Sequence, residues 1–243
     1  MEGYLAAVFN ANQFIERIQD YQSAEQLKKY ERAFPVDKRH GDEFIGVPMG
    51  QVFSLAKEFI EMPLDEIEKL LESPIHEVRV GAVSIMDWQA RRKSTSDEDK
   101  KNLFDLYIRR HDRINNWDLV DRSAIFVVGA YLFDKPRDIL YKLARSKNIW
   151  ERRTAIVSTA YFLRQNDLED TFKIAELLLY DDEDLIHKPV GSWLREAGKK
   201  DRQRLVAFLD EHAAKMPRVT LRFAIEHFDK SLKQHYMEMK NVG

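Results

Sequence analysis

Apolar residues recur at intervals of three and four along almost the whole chain, and no stretch shows the one-in-two alternation of a half-buried strand. This spacing predicts helices over 11–20, 24–34, 48–61, 64–72, 75–92, 97–113, 117–133, 136–145, 149–165, 168–180, 185–197, 202–215, 218–228 and 230–240. Capping chemistry agrees. Ser96 precedes DEDKKNLFDLYI, Asn148 precedes IWERRTAIV, and Pro136 and Pro217 suit first-turn positions, where a backbone N–H has no helical partner to lose. The pattern predicts an all-α chain.

From about residue 63 the predicted helices fall into pairs. The second member of each pair opens on a short polar or basic turn before becoming apolar: IHEVRVGAV at Ile75, WDLVDRSAI at Trp117, IWERRTAIV at Ile149, LIHKPVGSW at Leu185 and PRVTLRFAI at Pro217. Superposing these starts makes Arg79, Asp121, Arg153, Lys188 and Arg222 equivalent, at separations of 42, 32, 35 and 34 residues. Such periods are those of HEAT-like α-solenoids, in which a helix pair buries its apolar face only by stacking on its neighbours. The expectation is a single domain over 1–243, with N-terminal helices over 1–62 and helix-pair repeats over 63–243, coiled into a curved superhelix. Second helices would line its concave wall, so the five equivalent positions would form a ladder of four cations and one carboxylate. A cationic groove is a natural seat for a polyanion. Salt bridges between adjacent repeats would account for the same residues without a ligand, and the pattern leaves both open.

Composition narrows the field. At 44% hydrophobic and 33% charged residues the chain is globular, and with 9 glycines and 7 prolines it lacks the turn residues of a sandwich or barrel. There is no cysteine, hence no disulfide, thiolate nucleophile or cysteine-ligated metal. The N-terminus lacks a basic region followed by a long apolar one, and no apolar run approaches the roughly 18 residues of a membrane span, so a cytoplasmic protein is expected. Net charge is −2, from 39 basic and 41 acidic side chains, so a nucleic-acid binder would need its charges sorted in space. Some sorting exists along the chain. Lys135, Arg137, Lys142, Arg145, Lys147, Arg152 and Arg153 outnumber the acids of 134–153, whereas 167–184 holds Asp167, Glu169, Asp170, Glu176, Asp181, Asp182, Glu183 and Asp184 against Lys173 alone. Seven histidines are present, but there is no HExxH, and His76, His111, His187, His212, His227 and His235 fall in separate helices, so no metal or cofactor is expected. The stretch RHGDEFIGVPMG matches neither a phosphate loop nor a dinucleotide fingerprint. It reads as a connection into the array, with Arg39 and His40 as candidate DNA-backbone contacts.

The stretch NNWDLVDRSAIFVVGAYLF, Asn115 to Phe133, concentrates the candidate chemistry. Trp117 and Asp121 are four apart and share one helix face, while Asp118 points elsewhere and suits the helix N-terminus. A groove carboxylate beside an aromatic face could serve N-glycosidic cleavage, where positive charge develops on a sugar, with Arg153 holding the adjacent phosphate. An acid that merely complements the helix end explains Asp121 equally well.

The runs GDEFIGVPMGQVFSLAKEF, ESPIHEVRVGAV, NNWDLVDRSA, NIWERRTAIV and HKPVGSWLREAGKKD, taken in order, resemble the AlkD-like HEAT-repeat DNA alkylation-repair glycosylases, from about residue 40 to about residue 228. The resemblance implies excision of N3- and N7-alkylated purines from duplex DNA held on the concave face. It implies no metal, no cofactor and no full flipping of the lesion. By motif it assigns the catalytic aspartate to Asp121, the lesion-side tryptophan to Trp117 and the phosphate-binding arginine to Arg153. A second aromatic is expected at position 192, where Ser192 stands, with Trp193 turned by about 100° from it. Pro189 is a second departure. At a first helical position it would start that helix late and leave Lys188 in a loop. The expected DNA contacts are Arg79, Trp117, Arg153, Lys188, Trp193 and Arg222, in a monomeric glycosylase; a non-catalytic DNA-binding solenoid and a protein scaffold are the alternatives.

Overall fold

The described residues carry fourteen α-helices and one parallel β-bridge, Glu43 with Ile75. The computed structural model describes residues 9–33 and 41–239, so Arg39 and His40 lie outside the described residues. In chain order the helices are α1 (Ala11–Gln19), α2 (Ala24–Ala33), α3 (Met49–Glu58), α4 (Leu64–Leu71), α5 (His76–Arg91), α6 (Asp97–Arg109), α7 (Trp117–Ala124), α8 (Asp138–Ala144), α9 (Ile149–Arg164), α10 (Glu169–Leu177), α11 (Asp184–Lys200), α12 (Arg202–His212), α13 (Arg218–Ala224) and α14 (Lys230–Glu238). The fold is all-α, as the periodicity predicts, and none of these helices is long and apolar enough to cross a membrane. They form two compact units, Met1–Ser123 and Ala124–Gly243.

In the first unit α5 is the central element. It packs on α3, α4 and α6, and thirteen of its sixteen residues are buried, including charged ones. A helix apolar on one face only would leave half its surface in water; α5 is enclosed, and its polar groups must find partners inside. Phe14 of α1 is wholly buried and meets Phe59 edge-on at 5.3 Å. The segment GDEFIGV is bound to the start of α5 by backbone and by Glu77. The His76 N–H donates to the Glu43 carbonyl at 2.8 Å, and the buried Glu77 carboxylate accepts from the N–H groups of Ile45, Gly46 and Val47 at 3.1, 2.8 and 3.2 Å. That glycine-containing stretch is a structural connection, as its lack of a phosphate-loop pattern suggests.

The stretch predicted as one helix over 117–133 divides. α7 runs directly into a π-helical segment, Ile125–Ala130, whose wider turn takes one more residue than an α-turn. Side chains beyond it leave the 3.6-residue register, which no local propensity in IFVVGA signals.

In the second unit α9 packs on α8, α10 and α11, and α11 packs on α12 and α13. Two glycines set close approaches. A Cβ on Gly129 would lie 2.3 Å from the Ser158 carbonyl oxygen of α9, and one on Gly191 would lie 2.4 Å from the Thr220 carbonyl oxygen of α13. The basic run 134–153 and the acidic run 167–184 prove to face each other. Arg137 bonds Asp167 at 2.7 Å and Asp170 at 2.5 Å, and Arg152 grips both oxygens of Asp181 at 2.6 and 3.0 Å. The conditional expectation of a late start at Pro189 is corrected: α11 begins at Asp184, Pro189 is inside it, and Lys188 is helical and exposed.

Gly191→Ala is expected to destabilise the protein by roughly 1–3 kcal/mol, since the added methyl meets backbone that cannot swing aside. Gly50→Ala, with nothing within 4 Å of the new Cβ, is expected to be neutral or to stabilise by up to about 1 kcal/mol through helix propensity. Denaturant unfolding of the two variants checks the contrast.

Candidate active site

α7 begins where Asn116, itself buried, accepts the Trp117 N–H on its side-chain oxygen at 2.8 Å. From that point Trp117 and Asp121 point outward together. Trp117 is 42% exposed, one of few large apolar side chains so open among the described residues, and Asp121 is exposed one turn on. An indole this accessible contributes little to a core. What it does offer is a flat face beside a carboxylate, a pairing suited to a cation.

Asp118 has a larger role than a helix end requires. Its Oδ1 accepts the Leu119 N–H at 2.9 Å, and its Oδ2 bonds Nε2 of His76 at 2.7 Å. His76, the first residue of α5, has no exposed surface; its Nδ1 bonds Asp42 Oδ2 at 3.1 Å, and the Phe44 ring lies over it at 4.9 Å. Asp42 in turn pairs with Arg79 at 2.5 Å through its other oxygen. With a carboxylate at each ring nitrogen, both nitrogens must donate, so the ring is an imidazolium. Burial alone would depress its pKa, but the hydrogen bonds to Asp118 and Asp42 outweigh that and raise it to about 9. Burial pushes the Asp42 carboxyl up, yet His76 and Arg79 together hold it below the ordinary aspartate range.

Arg79 is therefore corrected as a DNA contact. It is wholly buried, and besides Asp42 it donates to the carbonyls of Ser73 at 2.9 Å and Pro74 at 3.3 Å and to Asn115 Oδ1 at 3.4 Å. Its guanidinium joins the turn before α5 to the turn before α7 and has no surface with which to meet a phosphate. Arg113 reinforces the same junction by donating to the carbonyls of Leu71 and Ser73 at 3.0 and 2.9 Å. Next to Asp121, Arg122 donates to Ser84 Oγ at 3.0 Å, pairs with buried Asp87 at 3.2 Å and covers the Phe53 ring at 4.6 Å. Asp118 and Arg122 are themselves four apart, so α7 is held along the flank next to its outward face. The sequence pattern places His76 only as one of several dispersed histidines and gives Asp42 and Arg122 no role; the signal in the chain is a histidine at the start of the mostly apolar run HEVRVGAV.

In the second unit, Lys188 and Arg222 are exposed and Trp193 and Ser192 are half-buried. Arg153 is 7% exposed, and its Nη1 donates to the Leu185 carbonyl. Arg195 pairs with Glu196 at 3.1 Å and also with Glu226, so its guanidinium is taken up by carboxylates of the protein itself.

The His76 shift fixes a pH dependence. A folded-state pKa near 9 against an ordinary value of 6.5 adds stability that is fully present below about pH 6.5 and lost as pH rises through about 9. Unfolding free energy is expected to fall by roughly 3 kcal/mol across that window, at 1.36 kcal/mol per pKa unit, and to lose this dependence in His76→Gln. Denaturant titrations at pH 6, 7.5 and 9.5 check it.

The sequence profile of the family described as "DNA alkylation repair enzyme" matches residues 12–228. A solved structure described as "Predicted DNA alkylation repair enzyme from Enterococcus faecalis" superposes with a TM-score of 0.67 over 86% of this chain and 97% of that one, at 18% identity. At that identity the likeness concerns the fold. No curated protein matches the chain. The profile takes in both units, the His76 clasp and the outward face of α7, and on that match the chain belongs to the DNA alkylation repair enzyme family.

Proposed function

We propose that the protein is a monofunctional DNA glycosylase that hydrolyses the N-glycosidic bond of N3- or N7-alkylated purines in duplex DNA. The observation that carries this reading is the pair of exposed side chains, Trp117 and Asp121, on one face of a helix whose adjacent flank is fixed by buried ion pairs. An alkylated purine is already cationic, so its bond to C1′ can break with the base leaving neutral and positive charge appearing on the sugar. The Asp121 carboxylate stabilises that oxocarbenium-like charge and orients the water whose oxygen bonds C1′, giving an abasic sugar. Trp117 packs on the lesion nucleotide, with a cation–π gain for a charged base. In the second unit Lys188, Arg222 and Arg153 take backbone phosphates and Trp193 takes an aromatic contact. No step in this scheme calls on a metal or cofactor.

A non-catalytic DNA-binding role is the second reading. Ser192 at the place of the family's second aromatic, and the small exposure of Arg153, favour it.

Wild-type protein is expected to release 7-methylguanine or 3-methyladenine from methylated duplex DNA, and Asp121→Asn to slow release by about 10²-fold or more with folding and DNA affinity retained. Trp117→Ala is expected to cost about tenfold, in line with one lost stacking contact. Base release measured chromatographically decides between the readings: no release by the wild type rejects the glycosylase, and DNA affinity that survives or rises in Asp121→Asn then supports the binder.

A further inference from the structure

Pro189 is the sixth residue of α11 and has no N–H. In a helix that N–H would donate to the carbonyl four residues back, that of Leu185, and the proline ring also crowds the same oxygen. The Leu185 carbonyl is therefore left without its helical donor. In this protein the donor comes from elsewhere in the second unit: Nη1 of Arg153, the fifth residue of α9, bonds the Leu185 oxygen.

We propose that Pro189 is a positioning residue for Arg153: by withholding its own N–H it reserves the Leu185 carbonyl as the acceptor that fixes the guanidinium. An arginine side chain on its own samples many rotamers, and its planar fork has a defined direction only once one edge is held. Around it the starts of α9 and α11 are joined by an ion pair and braced by side-chain bonds to backbone carbonyls on each side. Arg152 donates to the carbonyls of Ser146 and Lys147 at 3.0 and 3.1 Å and pairs with Asp181, and His187 Nε2 meets the Asp181 carbonyl at 2.6 Å. The other contacts in this clasp need no special residue in the helix they reach. The Arg153 bond gains from one, because an ordinary residue at position 189 would bring its own N–H to compete for the Leu185 oxygen. Pro189 and Arg153 then act as one unit. The functional consequence, a phosphate anchor set in advance of DNA, rests on the glycosylase reading; the positioning does not.

The decisive test is a double-mutant cycle of Pro189→Ala and Arg153→Met on the full chain, read as unfolding equilibrium constants. Arg153→Met is expected to destabilise the wild type at least fivefold more than it destabilises Pro189→Ala, about 1 kcal/mol at 1.4 kcal/mol per tenfold. A coupling below fivefold overturns the proposal. Lactic acid in place of Pro189, an ester unit with neither N–H nor ring, is expected to keep the coupling; its loss would assign the effect to the ring and likewise overturn the proposal. Binding to a duplex carrying one 7-methylguanine, measured at several salt concentrations, separates the two ideas. Affinity is expected to drop in either single variant and no further in the double. If the coupling holds while Arg153→Met leaves affinity unchanged, the phosphate role of Arg153 fails and the positioning by Pro189 stands.

Discussion

A single proton on His76 holds together segments that are far apart in the chain. The imidazolium sits between Asp42 and Asp118 with no water access, and Asp42 is shared with Arg79, so two cations and two carboxylates neutralise one another inside the first unit. Removing any member strands a buried charge, which is why such an array acts as a whole. Its members come from the GDEF connection, from α5 and from α7, and Arg79 adds the two preceding turns. Asp118 faces inward to this cluster. Trp117 and Asp121, on the adjacent stripe of the same helix, are left facing out, and the geometry of the candidate site follows from that one commitment.

Much of this was legible in sequence, for reasons of range. Helix existence depends on spacings of three and four, and capping on a few residues around Ser96 and Asn148, so the all-α reading and most helix positions could be derived locally. The shared face of Trp117 and Asp121 is likewise an i, i+4 relation. The clasp is not: His76 is 34 residues from Asp42 and 42 from Asp118, and no local pattern joins them. Arg79 shows a different gap. Superposing repeat starts assigns it a place in a ladder, but cannot tell whether the place is open or enclosed, and α5 is enclosed. Nor could first-turn preference locate Pro189, because the partner that lets it stand inside α11 is an arginine on another helix.

Structural and chemical arginines are distinguished here by what their forks face. Arg79, Arg113, Arg137 and Arg152 all end on backbone carbonyls or buried carboxylates and serve as cross-links between turns. Lys188 and Arg222 project from their helices into solvent. A basic residue in a repeat is thus informative about ligands only once its acceptors are known.

The pairing of the basic run with the acidic run has a kinetic meaning. A surface that brings its own counterions, as Arg137 does with Asp167 and Asp170, projects little long-range field, so few condensed ions are set free when a polyanion arrives. On the proposed reading, contact with undamaged nucleic acid would then be brief at each stop, with the time spent at any position governed by short-range fit instead of general attraction. For a glycosylase of the kind proposed, inspecting a long polymer for rare lesions, short dwell times would be an advantage in search.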